Sequence, residues 1–169
     1  AQRTTLSLAS INMSLGGGKA TTGCTSNSLA TIIGQLRSER VATVIASGND
    51  GFSDGVSSPG CVPDAITVGS TTKADALSSF SNSSPLVDVL APGSSIRSAY
   101  PTINDAGAGR AATFNGTSMA APHVAGAIAL LRASRPTASI DAIENALEAT
   151  GIPVTNGNNN VPSPRIRVD

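Results

Sequence analysis

The sequence predicts an α/β fold with a mostly parallel sheet, and three adjacent segments lead to this prediction. Residues 9–18 (ASINMSLGGG) and 41–50 (VATVIASGND) are apolar runs that each end in a glycine-containing turn, and we expect both to be buried strands. Residues 25–40 between them place four apolar side chains at helical spacing, with Ser26 or Asn27 as the N-cap. A strand, a helix and a strand joined by short connections form a βαβ unit, which implies parallel pairing.

Two more strands and a central helix follow along the chain. Short strands are predicted at residues 65–70 and 86–93, between loops rich in Gly, Ser, Asn and Pro. A helix is predicted from Ser118 to about Ala133, and its apolar residues on nearly every side indicate a buried position at the centre of the fold. Pro122 is compatible with this helix because it falls near the first turn.

The C-terminal part is expected to form one amphipathic helix followed by mostly irregular chain. Residues 139–150 place apolar side chains at helical spacing, and Ser139 can cap this helix. Residues 155–164 are predicted to form a loop, as are residues 101–113, and residues 165–169 a final extended piece.

The composition fits one domain and argues against several classes of partner. The 169 residues, 40% of them hydrophobic, suffice for a single core. Eleven basic side chains balance eleven acidic ones, so no nucleic-acid-binding or polybasic membrane surface is predicted. The longest apolar run, residues 119–131, is interrupted by Pro122 and His123 and is too short to span a bilayer. Cys24 and Cys61 fit either a disulfide or two free thiols, and their spacing matches no zinc site.

Three polar features fall at the carboxyl ends of predicted strands, where open α/β sheets bind ligands. They are residues 14–16, the Gly48-Asn49 pair and the start of the Ser118 helix. A helix N-terminus favours negative charge beside it, so Ser118 is a candidate nucleophile. The alternative is that Ser118 only caps the helix, which is the commoner role of an isolated Gly-Thr-Ser segment. Asn49, taken alone, fits an ordinary turn.

His123 is the only histidine of the chain, and helix geometry argues against its being the base for Ser118. Five residues along a helix rotate a side chain by roughly 140° and move it by about 7.5 Å. A serine and its base need a hydrogen bond of about 2.6–3.2 Å. We therefore expect His123 to be a buried polar side chain bonded to a neighbouring strand or turn.

The segment NGTSMAAPHVAGAIALL, residues 115–131, resembles the nucleophile signature of the subtilases, the subtilisin-like serine peptidases. Four further segments resemble that family and follow its order along the chain: INMSLGG, VATVIASGNDG, ITVGS and FSNSSPLVDVLAPG. The resemblance extends from about Ser10 to Thr150. It implies a three-layer αβα fold with a mostly parallel sheet, and hydrolysis of peptide bonds by a nucleophilic serine.

The same resemblance implies roles for individual residues. Ser118 matches the nucleophile, and Asn49 matches the side-chain donor to the oxyanion. Two sets of residues match substrate-binding elements. The strand that pairs with the substrate backbone corresponds to Ser14, Leu15 and Gly16. One wall of the pocket that holds the substrate residue before the scissile bond corresponds to Ala46, Ser47 and Gly48. Ser47 stands where alanine is commoner, which leaves the side-chain preference open.

Two stabilising features are also implied by the resemblance. A structural calcium site of the proteinase K branch is matched by the carbonyl groups of Pro63 and Ala65 and by the carboxylate of Asp88. The resemblance implies no cofactor for catalysis itself. Cys24 and Cys61 resemble a loop disulfide of some secreted subtilases. The resemblance therefore implies a bridged cysteine pair and a secreted, extracellular protein.

In this family the catalytic aspartate and histidine precede the serine along the chain. No His-Gly-Thr segment and no histidine precedes Ser118 here. We therefore expect residues 1–169 to be the C-terminal portion of a single peptidase domain, incomplete at its N-terminal side, with an unpaired strand edge near residues 10–15.

The expected partners are a polypeptide substrate and the N-terminal part of the domain, which would supply the aspartate and the histidine. Without that part we expect no triad-dependent activity. The alternative hypothesis is a non-catalytic, subtilase-like domain that binds peptides in the same groove.

Overall fold

The computed structural model of the protein describes residues 7–100 and 110–167. Its strands and helices, in chain order, are β1 (Ser10–Met13), β2 (Gly17–Ala20), α1 (Ala30–Ser38), β3 (Ala42–Ala46), β4 (Val56–Ser58), β5 (Ile66–Thr71), β6 (Val89–Pro92), β7 (Ile96–Tyr100), β8 (Arg110–Phe114), α2 (Thr117–Ser134), α3 (Ile140–Thr150), β9 (Ile152–Thr155) and β10 (Pro162–Arg165).

The main sheet has six strands in the order β1-β3-β5-β6-β10-β9. The first five of these pair in parallel, and β9 pairs antiparallel with β10 at the far edge. Two smaller two-stranded sheets pair β2 with β4 and β7 with β8. The predicted α/β fold with a mostly parallel sheet is confirmed.

The layers follow from the alternation of side chains along β3. Ala42, Val44 and Ala46 belong to the core cluster that includes residues of α2 and α3. Ile45 belongs to a second cluster, on the other face, with Ile33 of α1. Because neighbouring side chains of a strand point to opposite faces, helices on both faces bury the whole strand and give three layers.

The βαβ unit at residues 10–46 forms as expected. β1 and β3 pair in register from Ser10 opposite Ala42 to Met13 opposite Ile45. At the start of α1, the Asn27 Oδ1 accepts a hydrogen bond from the Leu29 N–H at 2.9 Å, which satisfies an amide just before the helix.

Helix α2 packs across four strands of the sheet through one face only. Alanines on that face, such as Ala120 and Ala121, are fully buried and let the helix lie close to the strands. The opposite face exposes His123 and also Leu130, whose exposed fraction is 66%. The prediction of burial on nearly every side is therefore wrong for this face, because no element of the described chain covers it.

β1 was expected to be buried, but it lies at one edge of the sheet. Among the described residues it pairs with β3 alone, which agrees with the predicted unpaired strand edge near residues 10–15. Asn12 is exposed and Ile11 only half-buried as a result.

The predicted loop at residues 155–164 is wrong, because β9 and β10 form an antiparallel hairpin. Prolines at three of its positions argue against strands in the sequence. The structure tolerates them because β10 pairs with β6 only at its last residue, where Arg165 lies opposite Leu90. The prolines of β10 therefore need no backbone N–H for the central sheet. Of the extended piece predicted at residues 165–169, Arg165 is the last residue of β10 and residues 166–167 lie in no strand, whereas residues 168–169 lie outside the described part of the chain.

The predicted loop at residues 101–113 is wrong for its last four residues and lies outside the described chain for the rest. Residues 110–113 belong to β8, which pairs antiparallel with β7. Residues 101–109 lie outside the described part of the chain. No helix among the described residues is long and apolar enough to cross a membrane.

Cys24 and Cys61 form a disulfide, with their Cα atoms 5.3 Å apart. Cys24 precedes α1 and Cys61 follows β4, and the Cys24 N–H also donates to the Cys61 carbonyl at 2.9 Å. The bridge therefore fixes the entry to α1 against the connection between β4 and β5.

We predict that the disulfide stabilises the fold through the length of chain that it closes. With a sequence separation of 37 between the two cysteines, loop-closure entropy gives about 3–4 kcal/mol. The free energy of unfolding, measured in urea with and without reductant, should fall by about that amount on reduction. The Cys24→Ser/Cys61→Ser variant should be insensitive to reductant, and an unchanged urea midpoint in the reduced wild type would contradict the prediction.

Candidate active site

Ser118 is the second residue of α2 and lies beside the turn that follows β6. The Gly116 N–H donates to the Gly93 carbonyl at 2.9 Å, which joins the start of α2 to that turn. A Cβ at Gly93 would lie 2.6 Å from the Gly116 carbonyl oxygen, so only glycine permits this approach. Ser118 is half-buried and lies in the first helical turn, whose N–H groups have no carbonyl partner within the helix.

Asn49 lies next to Ser118 because its side chain is bonded to Thr117. The Asn49 Oδ1 accepts hydrogen bonds from the Thr117 N–H at 2.8 Å and from the Thr117 Oγ1 at 3.0 Å. The Thr117 Oγ1 in turn accepts from the Gly48 N–H at 3.2 Å. These bonds occupy the oxygen of the Asn49 amide and leave its Nδ2 as the donor for a ligand.

Residues 14–16 reach the same place from β1. The Ser14 Oγ donates to the Ser118 carbonyl at 2.8 Å. Leu15 is 54% exposed, and a Cβ at Gly16 would lie 3.2 Å from the Ser58 carbonyl oxygen. The predicted substrate strand therefore runs from Ser118 towards β4 and leaves a large apolar side chain open to a ligand.

Residues 46–48 lead from the end of β3 into the Asn49 turn. Ser47 is fully buried, and its Oγ donates to the Asn82 carbonyl at 3.1 Å. Gly48 has φ of 106°, and a Cβ there would collide with the Asn82 Nδ2 and the Ser57 Oγ. The turn therefore requires glycine at this position, and the Ser47 hydroxyl is already engaged within the protein.

His123 does not lie where it was expected. It is exposed, and its Nδ1 lies 2.8 Å from the Met119 carbonyl of its own helix. The predicted burial against a strand or turn is wrong, because His123 falls on the uncovered face of α2. No hydrogen bond among the described residues joins the His123 ring to Ser118, in keeping with the expectation from helix geometry.

Thr117 and Asn82 are functional candidates that the sequence analysis missed. Thr117 is the hydrogen-bonding link between Asn49 and the start of α2. Asn82 is fully buried and bonded to the turn around Asn49. The position of Asn82 within the serine-rich segment FSNSS is the one feature of the sequence that could have suggested a role for Asn82.

Asp88 belongs to a separate site at the amino end of the sheet. It precedes β6, and its Oδ2 accepts a hydrogen bond from the Thr67 N–H at 2.6 Å. Ligand oxygens of Asp88, Glu144 and Glu148 lie within 4.8 Å of one another. Burial is the main reason why the pKa of Asp88 is raised to about 7, since the Thr67 bond acts in the other direction.

Arg37 balances part of this acidic cluster. Its guanidinium forms a salt bridge with Glu144 and a second one with Asp141, the latter at 2.6 Å. Burial nevertheless keeps the pKa of Glu144 raised above its ordinary value. The predicted calcium ligands Pro63 and Ala65 precede β5, at the same end of the sheet, but the two glutamates from α3 were not predicted.

The chain is similar to known proteins over most of its length. The sequence model of the subtilase family (Peptidase_S8) matches residues 9–165. The extracellular serine proteinase of Thermus sp. (strain Rt41A) is 44% identical over 137 residues, which is 81% of this chain and 31% of that protein. Subtilisin E of Bacillus subtilis (strain 168) is 39% identical over 143 residues, which is 83% of this chain and 35% of that protein.

Solved structures show the same likeness. A cold adapted subtilisin-like serine proteinase aligns with a TM-score of 0.74 and 32% identity, over 95% of this chain and 55% of that one. The chain thus spans about a third of the length of the two curated relatives named above and about half of the solved one. With a family match over residues 9–165 and the fold in common, the chain belongs to the subtilase family.

Proposed function

We propose that this chain is the C-terminal portion of the catalytic domain of a serine endopeptidase, with Ser118 as the nucleophile. The observation that supports this most is the pair of hydrogen bonds from Thr117 to the Asn49 oxygen. They hold an amide donor beside a serine at a helix N-terminus, where negative charge is favoured. The Thr117 N–H bond also caps the helix, so it is the Asn49 Nδ2, left as a donor beside Ser118, that favours a catalytic role over capping alone.

Asn49 would stabilise the oxyanion that forms when a serine oxygen attacks a peptide carbonyl. Its Nδ2 and the Ser118 N–H would be the donors to this oxyanion. The two neighbouring amides are already bonded, Thr117 to the Asn49 Oδ1 and Met119 to the Gly116 carbonyl. Because the Asn49 oxygen is held by Thr117, the amide need not reorganise as the charge develops. The polypeptide substrate would pair with residues 14–16, and its side chain would enter beside residues 46–48.

The base that activates Ser118 would come from another polypeptide segment. Among the described residues the only histidine is bonded to the Met119 carbonyl of its own helix and makes no hydrogen bond with Ser118. The family's aspartate and histidine belong to its N-terminal part, and the chain spans only about a third of the relatives Subtilisin E and the Thermus proteinase. That part would also cover the open edge of β1 and the exposed face of α2. Secretion is proposed because the Thermus relative is named an extracellular proteinase.

We predict that the 169-residue chain alone is not labelled rapidly by a serine-directed fluorophosphonate, because a serine hydroxyl is a weak nucleophile without a base. Mixing with a second chain that supplies the family's Asp-x-Gly and His-Gly-Thr segments should produce labelling at Ser118, detected by mass spectrometry. Hydrolysis of a peptide ester should appear at the same time.

Two controls make this test specific. Ser118→Ala should remove the label, and replacing the histidine of the second chain by alanine should prevent it. Rapid labelling of the isolated chain would show that a base exists within it and would refute the proposal that the base comes from another polypeptide segment. Peptide binding by the mixture without any labelling would instead support the non-catalytic alternative.

We further propose that the acidic cluster at Asp88 binds a structural cation of the calcium type. The donors of Asp88, Glu144 and Glu148 are oxygens, which Ca²⁺ prefers, and they converge within 4.8 Å. Arg37 neutralises Glu144, so a cation would chiefly offset the charges of Asp88 and Glu148. The carbonyl groups of Pro63 and Ala65 remain predicted ligands.

We predict that Ca²⁺ raises the free energy of unfolding more at pH 8 than at pH 5. The pKa of Asp88 is about 7 in the folded protein against 3.8 as its ordinary value. Without calcium, its contribution to stability is therefore present below pH 4 and is lost as the pH rises through 7, on the order of a few kcal/mol. A cation that binds the carboxylate would recover this loss at pH 8.

Thermal unfolding with Ca²⁺ or with a chelator measures this effect. Asp88→Asn should lose the calcium response and most of the fall in stability between pH 4 and pH 7, with a smaller fall remaining because the pKa of Glu144 is also raised. Asp54→Asn, which alters an exposed ion pair, should keep both effects. An equal calcium response in Asp88→Asn and the wild type would rule out Asp88 as a ligand.

A further inference from the structure

Asn82 holds both peptide groups that flank Asn49. The Asn82 N–H donates to the Gly48 carbonyl at 3.0 Å, which fixes the peptide group before Asn49. The Asn82 Oδ1 accepts from the Asp50 N–H at 3.0 Å, which fixes the peptide group after it. One buried residue therefore determines the position of the Asn49 Cα from both sides.

The remaining bonds of the Asn82 side chain close the same turn. Its Oδ1 also accepts from the Phe52 N–H at 3.0 Å, and its Nδ2 donates to the Ser47 carbonyl at 2.9 Å. The Nδ2 further lies 3.2 Å from the Ser57 Oγ. The amide thus bridges the beginning and the end of the turn at residues 47–52, which itself lies outside any helix or strand of the described chain.

Burial makes this arrangement costly to disturb. Asn82 is fully buried, so loss of its side chain would leave the N–H groups of Asp50 and Phe52 without their acceptor. These two bonds are partly buried and the Nδ2 bond to the Ser47 carbonyl is buried, so their loss is costly and the turn would shift to find other partners. The Asn82 side chain also occupies the space that a Cβ at position 48 would need. Asparagine at position 82 therefore requires glycine at position 48.

We propose that Asn82 is a positioning residue for Asn49, acting through the turn at residues 47–52. It touches neither Ser118 nor Thr117 in any hydrogen bond of the described structure, and it would act by keeping the Asn49 amide oriented towards the start of α2. That Asn82 thereby contributes to catalysis, by supporting Asn49 as the oxyanion donor, rests on the proposed function. The positioning itself does not depend on catalysis.

Amide hydrogen exchange of Thr117 in the full chain tests this proposal directly. The Thr117 N–H is bonded to the Asn49 Oδ1 at 2.8 Å, so its protection reports the position of Asn49 without any turnover. In Asn82→Ala we expect Thr117 to exchange about tenfold faster than in the wild type, relative to the Val44 amide in the middle of β3. The two experiments are independent. A negative result for Thr117 exchange would not argue against the proposed peptidase chemistry, and a negative result for labelling of Ser118 would not argue against the positioning of Asn49 by Asn82.

Controls separate positioning from general destabilisation. Ser139→Ala removes the N-cap of α3, where the Ser139 Oγ accepts from the Ala142 N–H, and should not change Thr117 exchange relative to Val44. In an Asn49→Ala background the further change Asn82→Ala should have little additional effect on Thr117, because the bond that it supports is already absent.

Two results would overturn the proposal. The first is equal Thr117 exchange, relative to Val44, in Asn82→Ala and the wild type. The second is an undiminished effect of Asn82→Ala in the Asn49→Ala background. If Asn82→Ala does not fold, Asn82→Ser, whose shorter side chain cannot bridge both ends of the turn, allows the same comparison.

Discussion

The candidate site depends on the hydrogen bonds between Asn49 and Thr117. They join the turn after β3 to the start of α2, two segments that are almost seventy residues apart in sequence (|i−j| of 68). Because the bonds use the Asn49 oxygen and the first amide of the helix, they orient the Asn49 nitrogen beside the next residue, Ser118. Without them the serine would be only the second residue of a helix, and the asparagine only a turn residue.

The rest of the fold makes this contact possible. Parallel strands bring the turn after β3 and the turn after β6 to the same edge of the sheet. Small residues on one face of α2 let the helix lie against those strands, and Gly93 lets its first turn approach the end of β6. Asn82 then holds the turn around Asn49, so the site is built by packing and by buried polar bonds together.

The sequence predicted those parts of this arrangement that have strong local signals. β3 and α2 were predictable because their apolar runs are long and bounded by glycine. The hairpin of β9 and β10 was not, since its prolines argue against a strand and are acceptable in β10 only because β10 pairs with β6 at a single residue. The exposed faces of β1 and α2 could not be predicted from hydrophobicity, which shows that a surface is apolar but not what covers it.

Site residues divide in the same way. Ser118 and Asn49 were predicted as site residues from a long family signature, whereas the bonds of Asn82 and the clustering of Glu144 and Glu148 with Asp88 exist only once distant segments meet.

Whether Asn49 is the donor to an oxyanion formed at Ser118 can be decided by a crystal structure of the phosphonylated protein, prepared with the partner segment. We expect a phosphonyl oxygen about 2.7–3.1 Å from the Asn49 Nδ2, with the phosphorus bonded to the Ser118 Oγ. An adduct on Ser118 whose oxygen points away from Asn49, or an adduct on another residue, would contradict it.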